Sequence, residues 1–149
     1  VDNLLELGYK DITLLDTSRT SLEVVKNRIN SLHVNYICGD ILTFSTQKKF
    51  DLWHDRAVFH FLLSQKERQR YFEVLSNSLK DNATAIISTF RVDGEIQCAG
   101  LDIVPYNYEK MLAELPKNLE LIESEEYTHI TPKESEQKYI YFLIKKHSL

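Results

Sequence analysis

The sequence predicts an α/β fold: an open, mostly parallel, twisted sheet that finishes in a C-terminal antiparallel hairpin. Three observations carry this. Short apolar runs alternate with segments of helical periodicity over the first two-thirds of the chain, the order in which parallel strands are joined by right-handed crossovers. Two strand-like runs, 119–130 and 138–144, then follow one another directly across a turn containing Pro132, which is hairpin order. No internal repeat, low-complexity segment or linker divides the 149 residues, so one domain over 1–149 is expected.

In chain order, Val1, Leu4 and Leu5 share a helical face, and Gly8 supplies a C-terminal stop. An apolar strand over 12–15 ends at Asp16. Thr20 and Glu23 have capping-box spacing ahead of Leu22, Val25 and Ile29, which recur at helical intervals. Val34–Cys38 reads as the next strand, closed by Gly39 and Asp40, and 51–54 as a third. A second capping box, Ser64 and Glu67, precedes a stripe of Tyr71, Phe72, Leu75 and Leu79. Asp81 and Asn82 then turn the chain into a central strand over 83–90, rich in Ile, Thr and Phe, with Gly94 and Gly100 in the loop beyond. Tyr108, Met111, Leu112 and Leu115 mark a last helix, stopped near Pro116.

Composition narrows the function classes. Hydrophobic residues at 43% and charged residues at 27% are ordinary for a globular chain. A net charge of −4 argues against a general nucleic-acid binder, whose affinity comes from clustered Lys and Arg. No apolar run approaches the roughly 18 residues of a spanning helix. The chain begins with Val1, so the lack of a charged-then-apolar leader carries no information on targeting. Cys38 and Cys98 form neither a disulfide framework nor a metal-ligand spacing, and the five His make no H-E-x-x-H or Cys/His cluster, so no metal is expected. A reducing, cytoplasmic compartment is the default expectation.

The candidate site residues cluster at strand ends. Asp16 closes an apolar strand ahead of Thr17 and Ser18, where a carboxylate can accept two hydrogen bonds from a ribose diol or simply satisfy loop amides. Asp40, in "YICGDIL", can accept from an exocyclic amine while Ile41 covers one face of a purine; an ordinary turn aspartate has the same sequence. One βαβ step would bring both acids to the same crevice. The segment 51–61, "DLWHDRAVFHF", places Trp53, His54, Asp55, Arg56 and His60 around the end of a strand, where an open α/β sheet meets its substrate. His54 and His60 titrate near neutrality and are candidate bases or backbone-satisfying groups. Trp53 also reads as core, and Arg56 as a structural partner of Asp55. Arg91, after "IISTF", can hold an acidic substrate group or stand as a solvated loop charge. Tyr139, Tyr141 and Phe142 read as sheet or interface packing.

These segments together resemble the class I S-adenosylmethionine-dependent methyltransferase family, in its small bacterial methyltransferase-domain form. "DLWHDRAVFHFL" is the most distinctive match, with "STF…DG…CAGL…Y" and "KYIYFLIKK" behind it, and the resemblance runs from residue 1 to about residue 146. It implies a Rossmann-like sheet of seven strands whose last-numbered strand runs antiparallel between its neighbours. It also implies S-adenosyl-L-methionine as cofactor. Asp16, with Thr17, falls at the ribose-binding position, and Asp40 with Ile41 at the adenine contact. His54 and Arg56 fall in the segment lining the cofactor and acceptor sites, with His60 and Arg91 as further substrate-site candidates. The acceptor implied is a small molecule or a protein side chain, and no general base is assigned.

One departure from the family pattern stands out. Its members open with a strand and a glycine-rich turn that cradle the methionine portion of the cofactor, and no such turn occurs near Val1. The expectation is therefore a sheet lacking its first strand, reduced activity in these residues alone, and self-association as a remedy for unpaired backbone. A nicotinamide-dependent oxidoreductase on a related sheet, and a non-catalytic binding or scaffold protein that keeps the fold, are the competing readings.

Overall fold

Asp16 ends a five-residue strand whose every residue is matched in register by a second strand, and this pair organises the first part of the molecule. The computed structural model describes residues 1–56, 58–131 and 134–148. They fall into two units, 1–44 and 45–149.

In the first unit, helix α1 (Asp2–Glu6) ends at Leu7 and Gly8, whose φ of +87° turns the chain towards β1 (Ile12–Asp16). Helix α2 (Arg19–Ile29) follows, then β2 (Val34–Cys38). The strands pair in parallel from Ile12 opposite Val34 to Asp16 opposite Cys38. Ile12, Leu22 and Val34 are the buried apolar side chains here, and an Arg28–Asp2 ion pair ties α2 to α1. The expected Thr20–Glu23 capping box does not form. The chain is already helical at Arg19, and Ser18 is the N-cap, its hydroxyl accepting from Ser21 N–H at 3.1 Å. Asp16 sets this earlier start by taking the Ser18 N–H on its carboxylate at 2.7 Å. At the far end Asn30 adopts the left-handed conformation, φ 43°, and returns its N–H to Lys26.

The second unit is built on β3 (Phe50–Arg56), β4 (Leu79–Phe90), β7 (Leu119–Ile130) and β8 (Glu136–Lys146), in the spatial order β3-β4-β8-β7. Strands β3 and β4 are parallel, while β8 runs antiparallel to both of its neighbours. The mostly parallel expectation is met only in part: β1–β2 and β3–β4 are parallel, whereas β8 pairs antiparallel with β4 and β7, and a short hairpin, β5 (Gln97–Cys98) with β6 (Leu101–Asp102), is antiparallel too. That hairpin lies in the loop the sequence left unstructured. Ala99 and Gly100 at its tip have φ of 51° and 80°, the paired positive values a two-residue connection demands. The turn expected at Pro132 lies outside the described residues.

Alternation along the strands selects the core face. Ala85, Ile87 and Thr89 lie opposite Ile144, Phe142 and Ile140, and all six are buried. Helix α3 (Gln65–Ser78) adds Tyr71, Phe72, Val74 and Leu75, and helix α4 (Tyr108–Glu114) adds Met111. Phe59, in a single 3-10 turn over Phe59–Phe61, packs its ring 4.9 Å from Tyr71, 5.1 Å from Phe72 and 5.2 Å from Tyr106. Each such ring contributes about 1.5–3 kcal/mol by burial. The capping box at α3 forms as expected, with Ser64 Oγ accepting from Glu67 N–H and Glu67 accepting from Ser64 N–H. Arg68 joins α3 to α4, donating to Glu114 at 2.7 Å and to the carbonyls of Leu62 and Leu63. Two boundaries differ from expectation. Strand β4 starts at Leu79 because Leu79 pairs with Phe50, and β3 continues through Arg56. No helix among the described residues is long and apolar enough to cross a membrane.

Candidate functional site

Two groups of candidate residues emerge, one in each unit. In the first, Asp16 and Asp40 stand at the carboxyl edge of the β1–β2 pair, because Asp16 is opposite Cys38 and Asp40 follows two residues later. Each carboxylate spends one oxygen on the backbone that positions it. Asp16 Oδ1 accepts from Ser18 N–H at 2.7 Å, and Asp40 Oδ1 accepts from Leu42 N–H at 2.8 Å. The second oxygen of each has no partner among the described residues, and both side chains are exposed. Two turns hold the edge in shape: Gly39 N–H donates to the Asp16 carbonyl at 3.0 Å, and Thr43 N–H to the Asp40 carbonyl at 3.1 Å. Thr17 is exposed and takes the Cys38 thiol on its carbonyl, while Ile41 is half-buried beside Asp40. The arrangement presents two hydrogen-bond acceptors and an apolar side chain to a ligand rich in donors.

In the second unit the segment 51–61 separates into two faces. His54 and Arg56 are exposed, and Asp55 between them is only 6% exposed because it points to the core face beside Ile87. Asp55 is the functional-looking residue whose role the sequence did not reveal. Its carboxylate accepts from Val58 N–H at 2.9 Å, Phe59 N–H at 3.2 Å and the Tyr71 hydroxyl at 2.6 Å, and Tyr71 in turn accepts from Trp53 Nε1 at 3.1 Å. This fixes the 3-10 turn that carries His60. Arg56 is not the partner of Asp55. Burial raises the Asp55 pKa, with the three hydrogen bonds opposing, and burial also pushes the Tyr71 hydroxyl well above its usual value.

The histidines differ. Desolvation, with a smaller push from Arg56, holds His54 below the ordinary imidazole value. His60 is 0% exposed, its ring 4.4 Å from Phe61 and 5.2 Å from Phe90, and burial pulls its pKa down to about 4. Neither of its ring nitrogens has a hydrogen-bond partner among the described residues. A neutral imidazole with an unused donor and an unused acceptor is therefore built into the end of the sheet. Arg91 is engaged elsewhere, paired with Asp93 at 2.9 Å and Glu126 at 3.0 Å.

The family described as a methyltransferase domain matches residues 1–82, more than half of the chain. The chain belongs to that family. Within it, this methyltransferase-domain chain is 33% identical over 84 residues to malonyl-[acyl-carrier protein] O-methyltransferase 2 of Ilyobacter polytropus, covering 56% of this chain and 31% of that protein. It thus spans about a third of the length of the curated relative it matches. Among solved structures, N-methyltransferase NodS from Bradyrhizobium japonicum in complex with S-adenosyl-L-homocysteine is similar, with a TM-score of 0.73, 17% identity, and coverage of 93% of this chain and 68% of that one. An S-adenosylmethionine-dependent methyltransferase from Clostridium acetobutylicum gives a TM-score of 0.74 at 17% identity, covering 99% and 79%. At such identities the likeness concerns the fold. That fold is a Rossmann-like α/β arrangement, and in this methyltransferase-domain chain β8 runs antiparallel between β4 and β7.

Proposed function

We propose that this chain takes part in methyl transfer from S-adenosyl-L-methionine to a small-molecule or protein side-chain acceptor. The observation that carries the reading is the pair of exposed carboxylates, Asp16 and Asp40, each with one oxygen fixed by backbone and one uncommitted. The uncommitted oxygens suit a ribose diol and an adenine amine, and Ile41 offers apolar cover for the base, so the residues fit a nucleoside. Asp16, Thr17, Asp40 and Ile41 would hold that part of the cofactor. The cofactor supplies an electrophilic methyl group on a positively charged sulfur.

The chain's own task is then alignment of an acceptor lone pair and exclusion of water. His54 and Arg56, exposed at the end of β3, serve as acceptor-contacting residues in this reading, and His60 as a neutral hydrogen-bonding group. Arg91 shapes the loop through its two ion pairs rather than meeting substrate. A nicotinamide dinucleotide would use the same ribose carboxylate, and the family match favours the methyl donor over it.

The test is calorimetric titration of S-adenosylmethionine, with NADH as comparison, into the chain and into Asp16→Asn and Asp40→Asn. Hydrogen bonds to a charged acceptor are each worth about 1.5–3 kcal/mol, so each variant should bind at least roughly ten-fold more weakly. Unchanged affinity in both variants, or tighter binding of NADH, would overturn the assignment.

A further inference from the structure

The corner where β4 empties into its loop and β8 begins holds a carboxylate, Glu95, that forms no ion pair among the described residues. Arg91 N–H donates to the Lys138 carbonyl at 2.9 Å, and a Cβ added at Gly94 would lie 3.2 Å from the Lys138 Cβ. The loop therefore lies directly on the start of β8, and the next residues along each segment are Glu95 and Tyr139. The basic side chains of this corner are already committed: Arg91 to Asp93 and Glu126, Lys138 to Asp93. Glu95 has none of them. One of its carboxylate oxygens is shielded from water and lacks a hydrogen-bond partner among the described residues. Such an oxygen is costly unless a donor arrives.

The neighbouring surface is aromatic. Phe90 stacks on Tyr139 with centroids 4.5 Å apart and planes 25° from parallel, and the half-buried Tyr139 keeps part of its ring open. His60 lies 5.2 Å beyond Phe90, fully buried and with both nitrogens unpartnered. Ser88, on the same face and also buried, has an unpartnered hydroxyl. Burial raises the Tyr139 pKa first, the neighbouring Cys98, Glu95 and Tyr141 raise it further, and Arg56 opposes them. Arg56 is thus a further positive charge near Tyr139; it is exposed and forms no ion pair with Glu95 among the described residues.

We propose that this corner binds a basic amine, its ammonium held by Glu95 against the ring of Tyr139, and that the methyl acceptor is of this class, the ammonium passing one proton to the Glu95 carboxylate so that the freed nitrogen lone pair bonds the methyl carbon as the carbon–sulfur bond breaks. The second half rests on the methyl-transfer reading; the binding site does not. A carboxylate supplies the charge partner and an aromatic face supplies a cation–π contact.

The experiment titrates phenethylamine and, separately, 3-phenylpropionate into the chain by NMR, with S-adenosylhomocysteine titrated alongside. The amine should bind at least about ten-fold more tightly than the acid, and Glu95→Gln should abolish that preference. Tyr139→Leu should weaken the amine by roughly two- to five-fold, as loss of a cation–π contact requires, and serves as the second variant if Glu95→Gln does not fold. Equal binding of amine and acid, or a preference that survives both substitutions, would overturn the proposal. Should S-adenosylhomocysteine bind while no amine preference appears, the amine site falls and the methyl-transfer reading stands. An amine preference without S-adenosylhomocysteine binding keeps the site and removes the methyl-transfer reading.

Discussion

Removing the Asp55 carboxylate should destabilise the protein by about 3 kcal/mol, and the structure shows how that figure arises. Asp55→Ala leaves three donors without an acceptor: the N–H groups of Val58 and Phe59, and the Tyr71 hydroxyl. Each unsatisfied buried donor costs about 1–3 kcal/mol, and release of the carboxylate from its own desolvation offsets part of the sum. At roughly 2–4 °C per kcal/mol for a chain of this size, the melting temperature should fall by about 6–12 °C. Asp55→Asn retains one acceptor oxygen and should lose no more than about 1.5 kcal/mol. Its pH dependence gives a sharper test. Because burial raises the pKa of Asp55 in the folded state, its contribution is fully present below the unfolded value near 3.8 and is lost as pH rises through the raised folded value. The stability of Asp55→Asn relative to the parent should therefore increase as pH rises across that window. Asp2, Glu67, Asp81 and Asp93 have lowered pKa values and give the opposite slope, but they are common to both proteins and cancel in the difference. Urea unfolding of parent, Ala and Asn forms between pH 3.5 and pH 8 measures all of this. An Ala variant within about 0.5 kcal/mol of the parent, or a parent–Asn difference flat in pH, would refute the reasoning.

Two further perturbations test local features. Ser64→Ala removes the hydroxyl that accepts from Glu67 N–H and donates to the Glu67 carboxylate, leaves the backbone N–H of residue 64 on Glu67, and should cost about 1 kcal/mol, read by chemical denaturation; no loss would mean that the Ser64 hydroxyl contributes nothing to α3. Ala99→Gly relieves a side chain from a φ of 51° and should raise stability by roughly 0.5–1 kcal/mol, seen as a higher melting temperature, whereas a decrease would show that the β5–β6 tip does not hold that conformation.

Much of the architecture was legible because period and punctuation agree. Strand β2 is bounded as its apolar run and Gly39 indicate, α3 begins at its capping box, and the direct succession of the last two strands becomes the β7–β8 pairing. What escaped was set by partners distant in sequence. Leu79 continues the helical stripe of Leu75 at a spacing of four, so only its pairing with Phe50 reveals it as the start of β4. The β5–β6 hairpin has two residues per strand, too few to display any period. At the candidate sites, Asp16 and Asp40 were readable because a carboxylate following an apolar run stands at a strand end. Asp55 was not, since its meaning lies in Tyr71 sixteen residues later and in a burial that no local pattern records. Glu95 looked like any loop acid until the commitments of Arg91 and Lys138 were known.

The placement of β8 between β4 and β7 has a consequence for how the molecule is made. Strand β4 leaves the ribosome with its hydrogen-bonding partner on one side still unsynthesised, because residues 91–135 must be translated before β8 begins. At roughly 5–20 residues per second that interval lasts about 2–9 s. Throughout it the apolar edge of β4, with Ala85, Ile87 and Phe90, is open to unintended pairing. The edge stays open until β8 has been made and pairs with β4.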